Sequence, residues 1–243
     1  MNIKCYYRLC DKARMGWGYT WKDCFDNFIK NFEPTSQELI VYIDNSEPET
    51  IKYVSSVCES MNFTYKITND GNAYGFYVTA KDALDNDDDT IIYFVESDYI
   101  HRKGSKEALI EIFETYAKNS YATLYDHPDK YYPYFWDTNT NKYSNYCELE
   151  ENKSIKSRVH FLRSGWWRTV PTTCCTFACR TQTLREDFYI FQKWTEPFAG
   201  GKAKDFDMFN ELNQKGRELY SPMPSYSSHT SLMATAVDWK NTQ

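Results

Sequence analysis

Short apolar runs alternate with longer amphipathic stretches along the first half of the chain. Ile3–Leu9 reads as a strand, and Trp21, Cys24, Phe25 and Phe28 within Trp21–Phe32 fall on one face of a helix. Glu38–Ile43 is an apolar strand ending at Asp44-Asn45-Ser46, and Glu49–Met61 predicts a second helix. Phe63–Ile67 is a third strand, running into the polar turn Thr68-Asn69-Asp70-Gly71-Asn72. Tyr74–Leu84 reads as helix, the acidic run Asp85–Asp89 as turn, and Thr90–Val95 as strand. Strands joined through helices in this order predict an α/β fold on a mostly parallel sheet.

Past Gly104 the pattern changes. Lys106–Asn119 predicts a helix and Tyr121–Tyr125 a strand. Asp126–Lys153 is aromatic and polar with little periodicity, which suits a long functional loop or an irregular hairpin. Strands around Arg158–Leu162 and Thr173–Cys179 follow, then helices Thr183–Thr195 and Asp205–Gly216, the last closed by Gly216. The tail holds Pro222, Pro224 and Ser227-Ser228-His229. No internal repeat is present, so the expectation is one domain over residues 1–243 in two halves, 1–104 and 105–243.

The most informative segment is Ile91-Ile92-Tyr93-Phe94-Val95-Glu96-Ser97-Asp98. Five apolar or aromatic residues in a row suit a strand buried on both faces of a parallel sheet. Alternation then puts Glu96 and Asp98 on one side at its carboxyl end, the edge where open α/β sheets bind ligands. Two hard oxygen donors there suit a divalent cation shared with phosphate oxygens. A solvated acidic turn is the plainer alternative.

Composition narrows the function. At 243 residues, 42% hydrophobic and 26% charged, the chain is long enough for a substantial core and ordinary for a globular protein. Twenty-one Tyr suit stacking on sugars and bases, although A/T-rich coding enriches Tyr as well. A net charge of −6 argues against a general nucleic-acid binder, yet leaves room for a nucleotide whose charge a bound cation offsets. No run of 18 apolar residues exists, so no membrane span is expected, and the amino terminus lacks a signal-peptide stretch. The eight Cys are scattered without a C-x-x-C pair, which predicts reduced thiols in a cytoplasmic protein.

Taken in order, the motifs carry a resemblance: Val41-Tyr42-Ile43-Asp44-Asn45-Ser46, Asn72-Ala73-Tyr74-Gly75-Phe76, Glu96-Ser97-Asp98, Lys204-Asp205-Phe206-Asp207-Met208 and Ser227-Ser228-His229. The chain resembles glycosyltransferases of the nucleotide-sugar (GT-A) fold, close to the inverting family-2-like enzymes and their viral relatives. If viral, it is expected in the host cytoplasm. The resemblance makes 1–104 the nucleotide-binding half and 105–243 the acceptor-binding half. It implies that Asp44 reads the base, that Arg8 and Asp11 line the nucleotide, and that Asn72 contacts it while capping its helix. By itself Asp44-Asn45-Ser46 also suits a cap for the helix after it. The resemblance further places Glu96 and Ser97 at the ribose and Asp98 on Mn²⁺ or Mg²⁺, with His229 completing the metal site. Glu96 stands where Asp is commoner in the family.

By the same resemblance Asp205 is the general base that deprotonates the acceptor hydroxyl, with Asp207 second and Glu186-Asp187 a rival pair. Lys204 stands where the family more often has an acidic residue. Taken alone, a carboxylate at Asp205 also suits a helix amino terminus. Ser164–Thr173, with Trp166 and Trp167, looks like a sugar-stacking wall or a buried core pair. Asp126-His127-Pro128-Asp129-Lys130 lines the donor sugar or is a turn.

The reaction implied is transfer of a sugar from a nucleoside-diphosphate sugar, UDP by default, to a carbohydrate or other hydroxyl acceptor, with inversion. Two alternatives remain at this level. One is a sugar nucleotidyltransferase, which Arg14-Met15-Gly16-Trp17-Gly18 supports poorly. The other is a non-catalytic carbohydrate- or nucleotide-binding module.

Overall fold

The computed structural model describes residues 1–12, 16, 18–131, 134–137, 142–145, 157–198, 201–231, 234–237 and 239. Arg14, Met15, Trp17, Cys147 and much of Asp126–Lys153 lie outside them.

The strands are β1 (Ile3–Leu9), β2 (Leu39–Asp44), β3 (Thr64–Thr68), β4 (Ile91–Glu96), β5 (Tyr99–His101), β6 (Tyr121–Ala122), β7 (Tyr134–Asp137), β8 (Lys142–Asn145), β9 (Val159–Leu162), β10 (Gly165–Val170), β11 (Phe177–Arg180), β12 (Leu219–Met223) and β13 (Ser227–His229). The α-helices are α1 (Trp21–Phe32), α2 (Pro48–Met61), α3 (Asn72–Ala83), α4 (Ser105–Thr115), α5 (Thr181–Thr195) and α6 (Asp205–Gln214).

Nine strands form one sheet in the order β3-β2-β1-β4-β11-β6-β12-β10-β9. The block β3-β2-β1-β4 is parallel throughout, and only β10 and β11 oppose the common direction. Side-chain alternation divides the core between the two faces. Tyr93 and Val95 of β4 join α1, α2 and α4 through Phe28, Val54 and Leu109. Ile92 and Phe94 face the other way, against Phe76 of α3, Phe191 of α5 and Phe209 of α6. β4 is buried on both faces as its apolar run predicts.

Several elements depart from the sequence pattern. Ser164–Thr173, expected as a wall, contains strand β10 between β12 and β9. The tail supplies β12 and β13, which Pro222 and Pro224 disguised. The predicted strand Tyr121–Tyr125 is regular only over Tyr121–Ala122. Within Asp126–Lys153, β7 and β8 form an antiparallel pair, the hairpin alternative. Asp44, Asn45 and Ser46 do not cap α2; Glu47 takes that position without a side-chain bond. Asn72 does not cap α3 either, because it is the first helical residue and Gly71 is the cap. Gly71 sits at φ 78° and ψ −178°, a region that essentially only glycine occupies. Gly216 follows α6 with φ 89° and donates to the Asn213 carbonyl, closing the helix as predicted. Among the described residues no helix is long and apolar enough to cross a membrane.

Candidate active site

After β1 the chain builds β2 and β3 on one side, then returns to place β4 on the other. The crevice at the carboxyl ends of β1 and β4 is therefore a topological switch point. A cavity of about 230 Å³ opens there. Arg8, Cys10, Lys12, Asp44, Thr68, Gly71, Asn72, Glu96, Ser97 and Asp98 are among the residues lining it.

Asp98 is the centre of the polar arrangement. β13 pairs antiparallel with β5, setting His229 opposite Tyr99, and this brings a tail residue beside the end of β4. His229 Nε2 lies 3.1 Å from Asp98 Oδ2. Asp98 Oδ1 is buried without a hydrogen-bond partner. Burial raises the Asp98 pKa, but the His229 charge and hydrogen bond outweigh it and hold the carboxyl below its ordinary value. His229 shifts the other way: burial lowers it, and Asp98 and Glu96 raise it by more. Its Nδ1 accepts from the Ser231 amide at 2.9 Å, which fixes the ring.

Glu96 sits directly across the β1–β4 pairing from Arg8. Arg8 Nη2 donates to Glu96 Oε1 at 2.9 Å and Nη1 donates to the Asn72 carbonyl at 2.9 Å. The Glu96 pKa is raised, by burial first, with Arg8 opposing and Asp98 adding to it. Ser97 is buried, and its Oγ accepts from the Cys10 amide at 3.3 Å.

Asp44 lines the cavity with its carboxylate already engaged. Oδ1 accepts from Thr68 Oγ1 at 2.9 Å and the Asp70 amide at 2.7 Å. Oδ2 accepts from the Gly71 amide and Asn45 Nδ2, both at 3.0 Å. Four donors fill the lone-pair positions of a carboxylate. Asp44 thus shapes the rim of the cavity by holding the turn between β3 and α3. Asp11 is only half engaged: its Oδ2 accepts from the Glu47 amide at 2.7 Å, at the start of α2, and its Oδ1 is buried without a hydrogen-bond partner.

Asp205 is the first residue of α6 and is partly exposed. The thiol of the buried Cys175 is pushed up by burial, then by Glu96 and Asp205, with Arg8 opposing. Asp205 is not itself among the cavity-lining residues, but two residues before it the Ala203 amide donates at 3.3 Å to Oδ1 of Asn72, which does line the cavity, so the start of α6 lies near the cavity's edge. Asp207, two residues on, points about 200° around the helix from Asp205, so the two do not serve one hydroxyl together.

Glu186, Asp187, Trp166, Trp167 and His127 do not line the cavity either. Asp187 is fully buried and accepts from Tyr121 Oη at 2.7 Å, Arg217 Nε at 2.8 Å and Lys215 Nζ at 2.5 Å. Glu186 pairs with Arg217 at 2.6 Å. This network ties α5 to the turn before β12 and leaves Asp187 no oxygen facing a substrate. Alternation along β10 separates the tryptophans: Trp167 is fully buried in the core, and Trp166 is 53% exposed beside Phe161. His127 begins the short helical turn Pro128–Lys130 and contacts Asp129 Oδ1 at 2.8 Å. Sequence reasoning missed a buried pair nearby, Arg168 Nη2 with Asp126 Oδ1 at 2.8 Å, because it joins β10 to the segment after β6.

The profile of glycosyl transferase family 2 matches residues 20–180, about two thirds of the chain. The chain belongs to glycosyl transferase family 2. No curated protein sequence matches it. Among solved structures, GalNAc-T7 with UDP, GalNAc and Mn²⁺ is 12% identical with a TM-score of 0.60, covering 94% of this chain and 43% of that one. S. aureus TarS 1–349 in complex with UDP-GlcNAc is 15% identical with a TM-score of 0.55, covering 93% and 58%. The UDP complex of the same protein is 16% identical with a TM-score of 0.56, covering 93% and 60%. At these identities the likeness shows the fold, the GT-A fold of nucleotide-sugar transferases. This family-2 chain spans roughly half the length of those proteins.

Proposed function

We propose that the chain is a metal-dependent glycosyltransferase that moves a sugar from a nucleoside-diphosphate sugar to a hydroxyl acceptor with inversion. The observation that carries this reading is the buried, unpartnered oxygen of Asp98 beside His229, at the switch-point cavity of a family-2 fold. UDP is the default nucleotide, because the similar structures of GalNAc-T7 and TarS hold UDP or a UDP-sugar.

The donor set suits Mn²⁺ or Mg²⁺, a carboxylate and an imidazole that leave the other positions to the diphosphate. Asp98 and His229 are the pair that would hold the metal; among the described residues no third His, Cys, Asp or Glu is placed to join them. A divalent cation bound there supplies Lewis-acid neutralisation of the charge developing on the departing diphosphate.

The chain's own groups do the rest. Glu96, fixed by Arg8, accepts from a ribose hydroxyl. Asp44 and Gly71 form the wall of the base pocket, and Asp205 takes the proton of the attacking hydroxyl. The acceptor is a carbohydrate or another hydroxyl compound entering from the Asp205 side.

The test is a donor screen: UDP-, GDP- and TDP-sugars with Mn²⁺, Mg²⁺ or EDTA, reading free nucleoside diphosphate. Metal-dependent release from one donor, lost in Asp98→Asn, is expected. Nucleotide and sugar binding with no release under any condition, unchanged in Asp98→Asn, favours the binding-module alternative.

A further inference from the structure

Asn72 lines the cavity without capping α3, and it also joins the start of α3 to the segment before α6. Arg8 is nine-tenths buried, with its guanidinium 4.9 Å from the centre of the Phe76 ring. One end of that guanidinium holds Glu96 Oε1, and the other holds the backbone carbonyl of Asn72. The Asn72 side chain then reaches the opposite way: its Oδ1 accepts from the Ala203 amide at 3.3 Å. Next to it, the Ala73 amide donates to the Gly201 carbonyl at 3.3 Å. Two hydrogen bonds therefore fasten the start of α3 to residues 201–203, just before Asp205.

The connection matters because α6, which begins at Asp205, comes from a part of the chain distant from the cavity-lining strands. α6 is packed over β6 and β11 through Phe209, whose ring lies 5.9 Å from Tyr121 and 5.0 Å from Phe177. That packing fixes the middle of the helix and leaves its first turn to be located by the segment before it. Lys204 donates its amide to the Trp194 carbonyl at 3.1 Å, which holds the segment to α5 but not to the cavity. The bond from Ala203 to the Asn72 side chain, beside the backbone bond from Ala73 to Gly201, is what sets it against Arg8 and Glu96. For a base that must lie within hydrogen-bond reach of a hydroxyl, an error of 1 Å costs about a hundredfold.

We propose that Asn72 is a positioning residue: anchored by Arg8, it registers the base-bearing end of α6 against the donor cavity. This rests on the transferase reading for its effect on rate, but the bridge itself is tested without it. Hydrogen–deuterium exchange of the whole chain is compared for wild type, Asn72→Leu and Asn72→Asp. Leu keeps the size and removes the acceptor oxygen; Asp keeps the oxygen. Exchange in residues 201–204 rises about tenfold or more in the Leu variant, stays near wild type in the Asp variant, and is unchanged over the middle of α6 in both. In parallel, turnover of UDP-GlcNAc with Mn²⁺ falls about tenfold in Asn72→Leu while the Kd for UDP changes less than twofold, and Asp restores the rate.

Wild-type exchange in the Leu variant overturns the proposal, as does a rise in the UDP Kd matching the loss of turnover, which makes Asn72 a nucleotide contact. If wild type binds no UDP, the transferase reading fails. The exchange result then decides the bridge alone.

Discussion

Asp98 is the residue on which the site turns. Its unpartnered oxygen and its contact with His229 give it a job that the turn alone does not explain. Asp205 follows. Asp205→Asn is expected to lower turnover by about 10²–10⁴-fold with UDP affinity retained, whereas Asp207→Asn stays near wild type, as steady-state kinetics beside UDP titration will show. His101 makes a separate prediction about acid stability. It is fully buried, holds the Tyr93 hydroxyl at 2.8 Å through Nε2, and burial depresses its pKa from 6.5 to about 3. Between those values the unfolded chain takes up a proton that the folded chain refuses. Stability therefore falls as pH drops from 6.5 toward 3, by up to about 1.4 kcal/mol per pH unit. Urea unfolding between pH 7.5 and 4.5 should show that slope, and His101→Phe should flatten it. The carboxylates after β4 were legible because one strand end carries them both. The Arg8–Glu96 pair was not, since it depends on the register of β1 against β4, which no local pattern encodes.

Among the elements, β10 was the hardest to read and is the easiest to test. Trp166 and Trp167 look alike in sequence, but strand alternation sends one to solvent and one to the core. Trp167→Ala is expected to cost about 3–5 kcal/mol in denaturant unfolding, and Trp166→Ala to stay within about 0.5 kcal/mol. Equal losses would place both rings in the core. Gly71→Ala is expected to cost about 1–3 kcal/mol, because its backbone lies where a side chain is strained and its amide must still reach Asp44. Most of the first half was read to within about two residues, since its longer strands and helices carry their own periodicity; β1 and α1 match at both ends, but the short β5 was missed. The second half was not. Its strands are short, Pro222 and Pro224 imitate a loop, and β12 is defined by neighbours distant in sequence.

At the scale of the whole molecule, one sheet carries the cavity: β1, β2 and β4 bring Arg8, Asp44 and Glu96 to it, and α6, whose first residue is the proposed base Asp205, packs on the same sheet. His229 arrives on a tail strand, so the Asp98–His229 contact forms only when β13 pairs with β5. With a net charge of −6 the protein has little long-range attraction for a diphosphate, so the proposed nucleotide site depends on local charge at the cavity. The most direct measurement is therefore titration of UDP into the protein with Mn²⁺ and with EDTA, for wild type and Asp98→Asn. Binding that requires Mn²⁺ in wild type and is lost in the variant is the predicted result. UDP binding of equal strength with Mn²⁺ and with EDTA, or no UDP binding at all, would contradict a nucleotide-sugar site built on Asp98 and His229.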